Sequence, residues 1–353
     1  MKRLFIIFAC ATLTMLAQAA SNGDGKTMRV TCITHDAKNI YLGFASQGLM
    51  GMSRTTGECL WYEGTAEKNL WSMAANGDEL WLGTWDYGLY RLRGGELAWV
   101  ADKTWVGALD FNGDDLWVGY KLLSLDKMNG GSVAETYTVD WGASQFGMAN
   151  AIAFAPDGTV WVGGQDNSHE VVLCKLSGGV YTALDYHDFS VSALVAGQDG
   201  TLWVATPENG LIALKDGART DYNTENSQLP DNALWDMKQD GYGSLWLLSA
   251  TALTKFDGST FTAFPLQIDS KSALCMDIVD GDIYIGSTDG LYRFAEGKAK
   301  EVQLPSPTGV KPLEQEASAT EVLLYTPDGK MGKPSKGLYI ERKGSSARKV
   351  ILK

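Results

Sequence analysis

The sequence predicts an all-β fold: a single β-propeller of seven four-stranded antiparallel blades, followed by a short C-terminal β-hairpin tail. Three observations predict it. A short phrase recurs about every 40 residues, a turn signal precedes each copy, and the strands carrying the phrase are apolar on both faces. The clearest copy is Leu80-Trp81-Leu82-Gly83-Thr84; close copies are Leu116-Trp117-Val118-Gly119, Val160-Trp161-Val162-Gly163 and Leu202-Trp203-Val204-Ala205. Ile40-Tyr41-Leu42-Gly43, Leu245-Trp246-Leu247-Leu248 and Ile283-Tyr284-Ile285-Gly286 complete the set, so the aromatics stand at 41, 81, 117, 161, 203, 246 and 284.

Each phrase is too short for a helix and rich in strand formers. The turn before it, such as Asn76-Gly77-Asp78, Asn112-Gly113-Asp114 or Pro156-Asp157-Gly158, supplies the positive backbone angles of a tight hairpin. Upstream lies another apolar stretch, as in Ala151-Ile152-Ala153-Phe154. Downstream a Gly-Leu step opens a third strand at Gly88-Leu89, Gly210-Leu211 and Gly290-Leu291, and stretches such as Ala98-Trp99-Val100 supply a fourth. Strands apolar on both faces need cover on both. A blade between two neighbours has it; a two-layer sheet with one wet face does not. The blade tryptophans, Trp81 and Trp161 among them, are therefore expected in the core.

The repeat resembles the two-component regulator propeller repeat. Asn226-Ser227-Gln228-Leu229-Pro230-Asp231-Asn232, then Leu234 to Met237, Asp240-Gly241 and Leu245-Trp246-Leu247 follow its pattern, and Gly83-Thr84 with Gly88-Leu89-Tyr90-Arg91 match its second half. The resemblance implies a periplasmic sensor part or an extracellular propeller. On this reading the chain is expected to depart from the sensor type, with one ring and no kinase.

In chain order, residues 1–20 read as a signal peptide: Lys2 and Arg3, the apolar run Leu4 to Leu16, then Ala17-Gln18-Ala19-Ala20. The run is too short to span a bilayer, and no later segment is apolar enough. The propeller follows over residues 21–305, a linker over 306–318 and a β tail over 319–353. Tyr325, Lys336-Gly337-Leu338-Tyr339-Ile340 and the terminal Lys349-Val350-Ile351-Leu352-Lys353 resemble the tails of Bacteroidetes secreted proteins, which include type IX secretion sorting domains. The protein is expected to be exported, extracellular or on the outer cell surface, with the periplasm as the alternative, and monomeric.

Cys32, Cys59, Cys174 and Cys275 show no framework spacing and read as small buried thiols. Of the net charge of −12, the leader carries +2 and residues 329–353 carry +7, leaving −21 on residues 21–328. An acidic body argues against nucleic acid or an anionic membrane as partner.

On the propeller template, the loops joining strands two and three and those joining successive blades share one face. That face is expected to carry Trp85, Asp86, Tyr87, Trp105, Trp141, Phe146, Asp166, His169, Tyr186, His187 and Asp188. Aromatic rings beside fixed polar groups suit a glycan, a peptide or a surface protein. Asp185-x-His187-Asp188 and Asp166-x-x-His169 lack further metal ligands at a defined spacing, and no nucleophile elbow, phosphate loop or nucleotide fingerprint is present, so no catalytic residue, cofactor or metal is assigned. The expectation is a non-enzymatic recognition propeller. The alternatives are a carbohydrate-active hydrolase or lyase and a scaffold subunit of a surface or secretion assembly.

Overall fold

A computed structural model describes residues 28–139, 147–166, 171–266, 268, 273–306, 323–325, 337–343 and 346–352. Seven four-stranded antiparallel sheets succeed one another along the chain, each with its strands in sequence order. They are blade 1 (30–62), blade 2 (70–101), blade 3 (108–137), blade 4 (147–183), blade 5 (193–222), blade 6 (234–265) and blade 7 (273–302). First strands of successive blades pack side by side, and that of blade 7, Ala273–Val279, packs against that of blade 1, Val30–His35. The expected seven-bladed ring is therefore present. No α-helix occurs among the described residues.

The recurring phrase has a specific job at each of its letters. Leu80 and Leu82 are buried between blades. The glycine lets the next blade approach: a Cβ on Gly83 would lie 2.5 Å from Val106 Cγ1, and one on Gly286 would lie 2.7 Å from Val30 Cγ1. The buried Thr84 hydroxyl donates to Gly88 O at 2.8 Å and accepts from Tyr87 N at 2.8 Å, closing the turn between strands two and three. Thr206 does the same for Gly210 O and Asn209 N. Gly88 has φ +92°, and a Cβ there would meet Ala101 O at 2.3 Å, which is why the Gly-Leu step admits no side chain.

Neighbouring blades are also tied by side chains on, or directly before, their first strands. The Thr31 hydroxyl donates to Leu70 O (2.6 Å), Ser72 to Val106 O (2.8 Å), Asn150 Nδ2 to Val191 O (2.9 Å) and Ser192 to Leu234 O (2.6 Å). Between blades 6 and 7 the polarity reverses, with Met276 N donating to Asp236 Oδ2 at 2.8 Å. Several of these strands bulge nearby, with Thr31, Trp71 and Asn150 as the extra residues. A bulge turns a side chain out of its strand's regular alternation.

One expectation needs correction. Trp81 and Trp117 are buried, but Trp161, Trp203 and Trp246 are only half-buried. The neighbouring blade supplies part of the cover, and at Trp81, Trp117 and Trp246 a cation on strand three lies against the ring as well. Arg91 lies 5.7 Å from the Trp81 ring, Lys127 5.7 Å from Trp117 and Lys255 5.3 Å from Trp246. Carboxylates fix these cations: Asp115 holds Lys127 at 2.8 Å and Asp240 holds Lys255 at 3.3 Å.

The four cysteines of the described residues are free, and Cys32, Cys174 and Cys275 are buried. Burial pushes the Cys32 and Cys174 thiols up to about 12. By chain contacts, two compact units are distinguished, Met1–Pro312 and Leu313–Lys353. The second contains a three-stranded antiparallel sheet of Leu323–Tyr325, Gly337–Lys343 and Ser346–Leu352.

Candidate ligand-recognition face

Blades 2 and 3 bring three indoles together on the face that carries the strand two–three turns and the blade-to-blade connections. Trp71 leaves the first strand of blade 2 at its bulge. Trp85 opens the turn after Thr84, and Trp105 stands in the connection to blade 3. The Trp71 and Trp85 ring centroids are 5.1 Å apart, and those of Trp85 and Trp105 are 5.6 Å apart. Backbone bonds hold the loops in place: Trp85 N donates to Asn69 O at 3.1 Å, and Trp105 N donates to Trp85 O at 3.0 Å. Trp105 adopts φ 57°, a left-handed conformation unusual for a bulky residue. Each of the three rings remains partly open to solvent.

Around this cluster, Asp86 is exposed and Tyr87 is 50% exposed. Lys121 Nζ lies 5.3 Å from the Trp105 ring centroid, and Lys68 Nζ lies 4.3 Å from Tyr90 and 5.6 Å from Tyr87. Lys103, in the connection to blade 3 with Trp105, is turned into an ion pair. It reaches Asp126 Oδ2 at 2.7 Å, a carboxylate with no solvent exposure that also accepts from Tyr120 and Thr136. Although burial opposes its charge, the bonds to Asp126 and Tyr120 keep Lys103 above the ordinary lysine range.

The remaining sequence-derived residues do not join the cluster. Trp141, Phe146 and His169 lie outside the described residues, and for Asp166 only the backbone, at the end of Val160–Asp166, is described. Tyr186 packs on the buried Phe189 at 5.4 Å. His187 Nε2 is 2.7 Å from Asp185 Oδ1, both side chains being largely exposed. Asp188 instead takes Arg219 at 2.9 Å. His187 and Asp188, adjacent in sequence, are thus held by different partners. Tyr222, at the end of the outer strand of blade 5, is packed among Trp203, Phe256 and Phe261.

Sequence reading missed Trp71, because it sits in an apolar first strand where it reads as core; the bulge redirects it. It also missed a set of charged groups on the inner strands. Asp110, Asp236 and Asp277 each accept the amide of the following residue, Phe111 (2.8 Å), Met237 (2.7 Å) and Ile278 (2.9 Å). Lys238 interacts with all three, and Asp236 first among them holds its ammonium above the ordinary range. Desolvation raises the carboxyls of Asp110 and Asp236. No group of three or more His, Cys, Asp or Glu side chains suited to a metal ion occurs among the described residues.

No family model matches the chain, and no curated protein matches it in sequence. Solved structures do match in fold. The WD40 propeller domain of Doa1 aligns with a TM-score of 0.62 at 13% identity, over 77% of this chain and 94% of that one. Virginiamycin B lyase from Staphylococcus aureus aligns with a TM-score of 0.58 at 14% identity, over 73% and 92%. The extracellular domain of the BT4673 one-component system from B. thetaiotaomicron aligns with a TM-score of 0.53 at 15% identity, over 92% of this chain and 51% of that one. The shared fold is the β-propeller. At these identities the likeness is one of fold alone, and it spans proteins of different activities.

Proposed function

We propose that the protein is an exported, non-enzymatic recognition propeller that binds a glycan on the face of blades 2 and 3. The observation that carries this reading is the Trp71–Trp85–Trp105 cluster, three partly open indoles on one loop face with one of them in a left-handed conformation. Partly open indoles offer flat apolar surface for the C–H faces of a sugar ring, and residues held in sparsely populated conformations concentrate at functional sites.

Charge narrows the ligand class. Lys68 and Lys121 already lie against the aromatic rings, which disfavours a cationic ligand there. The acidic body, −21 over residues 21–328, disfavours a polyanion. A neutral, hydroxyl-rich ligand meets neither objection. Catalysis has weaker support: His187 pairs with an exposed Asp185 rather than a buried carboxylate, and Asp188 is engaged by Arg219. Export is supported by the leader-like residues 1–20. The fold likeness to an extracellular domain is compatible with it. Among the described residues no helix is long and apolar enough to cross a membrane. Residues 319–353 are read as a sorting-type tail, testable by following secretion of a chain lacking them.

The test is a glycan array probed with residues 21–353 beside Trp85→Ala. A hit abolished by the substitution, with the melting temperature lowered by no more than a few degrees, is the expected result. No hit, or one insensitive to Trp85→Ala, would refute the glycan reading and leave a peptide or protein partner to be sought by pull-down.

A further inference from the structure

Each blade is built from one continuous stretch of chain, so no blade shares strands from both ends of the ring. Closure between blade 1 and blade 7 therefore falls to packing and to a small number of polar contacts. Four stand out. His35 Nδ1, at the end of the first strand of blade 1, lies 2.7 Å from Asp277 Oδ2 on the first strand of blade 7. Arg54 Nη2, just after the third strand of blade 1, lies 2.6 Å from Asp280 Oδ1 in the first hairpin of blade 7. Trp61 Nε1, on the outer strand of blade 1, donates to Pro305 O at 3.2 Å, beyond the last strand of blade 7. The Cys275 thiol faces Val30 O at 3.8 Å. Two of the four are ionic, and one of these includes a histidine.

We propose that the seam between blades 1 and 7 is an ionic latch whose grip depends on protonation of His35. Protonated, the imidazolium neutralises Asp277 and closes the inner part of the seam. When neutral it can still donate its Nδ1 hydrogen to Asp277, but the carboxylate then loses its countercharge. The groups around it make that loss count. Asp36 follows His35 in the first hairpin of blade 1, Asp280 faces it from the first hairpin of blade 7, Asp282 lies on the next strand of that blade, and Asp236 neighbours Asp277 on the inner strands. Against them stand Arg54, which also donates to Asp36 O; Arg293, committed to Asp282; and Lys238, shared among three carboxylates, while Lys38 of the same hairpin gives Asp36 only its backbone amide. Tyr41 donates to Asp36 Oδ2, and the Cys275 thiol is held neutral by burial. The first strand of blade 2, Leu70–Asn76, packs on the other side and contributes no charge.

The direction of the effect follows from the sign. The hydrogen bond that His35 Nδ1 donates to Asp277 holds the imidazole above its ordinary value of 6.5, against the opposing effect of burial. The latch is thus fully set below that ordinary value and is released as pH rises through the raised one.

The experiment is hydrogen–deuterium exchange of the intact chain across pH 5.5 to 9, corrected for intrinsic exchange, with NMR titration of His35. His35→Gln serves as a variant that keeps a hydrogen-bond donor but cannot titrate. In the unmodified protein, exchange in 30–35 and 273–279 should rise about fivefold relative to blades 3 to 5 as His35 deprotonates. His35→Gln should show the faster exchange at every pH. If that variant does not fold, Arg54→Gln is measured instead: it leaves His35 in place, so the pH step should persist on a faster baseline. Seam exchange that tracks the other blades at all pH values, or a His35 that titrates at or below 6.5, would overturn the proposal.

Discussion

The hydrogen bond from Ser72 to Val106 O offers a direct test of how the blades are joined. The Ser72 hydroxyl is buried, donates at 2.8 Å across the junction of blades 2 and 3, and sits beside Gly83 on the neighbouring strand. Ser72→Ala removes the donor and leaves a buried carbonyl without it, which should cost about 1–3 kcal/mol. Gly83→Ala places a methyl 2.3 Å from Ser72 Oγ, 2.5 Å from Val106 Cγ1 and 2.9 Å from Val106 O. The strain of forcing these apart should cost about 1–3 kcal/mol, with the bridging hydrogen bond disturbed in addition. In the double variant the closest of the three collisions is gone, so the two costs should not add, and a coupling of about 0.5–3 kcal/mol is expected. The assay is urea unfolding at 25 °C followed by tryptophan fluorescence, in all four corners of the cycle. A change below about 0.5 kcal/mol for Ser72→Ala, or strict additivity, would refute the view that this side chain ties one blade to the next.

Other outcomes follow from the same geometry. Trp81→Ala should cost about 3–5 kcal/mol and Trp161→Ala distinctly less, because only the first ring is buried; equal losses in parallel urea curves would contradict this. Lys103→Met leaves the fully buried Asp126 without its cation and should cost about 3–5 kcal/mol, measured by calorimetry; a neutral result would show that Tyr120 and Thr136 suffice. Cys32 and Cys174, with thiols pushed up to about 12, should resist Ellman's reagent at pH 8 in the folded state, whereas Cys59, half-buried, should react first. Trp105→Gly should abolish ligand binding while destabilising by no more than about 1.5 kcal/mol, since glycine accepts the positive φ without strain.

Much of the architecture could be read without coordinates because its causes are local and repeated. The strand-two phrase encodes burial, the glycine encodes close approach of the next blade, and the Thr84-type hydroxyl and Gly88-type turn encode the step to strand three. Summed over seven copies, such signals leave one closed ring as the arrangement in which every apolar face is covered. The aromatic character of the loop face was legible too, at Trp85, Tyr87 and Trp105.

What the sequence could not show depends on one-residue shifts and on neighbours distant in the chain. A bulge takes Trp71 out of a core reading and sets it against Trp85, and no local spacing announces a bulge. Lys103 looks like an exposed loop cation until the fold sets it beside Asp126, 23 positions away. His187 and Asp188 look like a pair until Asp185 and Arg219 take them separately. The meeting of His35 with Asp277 joins residues 242 positions apart and exists only because the ring closes. Periodicity therefore determined the number and make of the blades. Tertiary structure decided which rings and charges meet, because that depends on how each blade is set against the next.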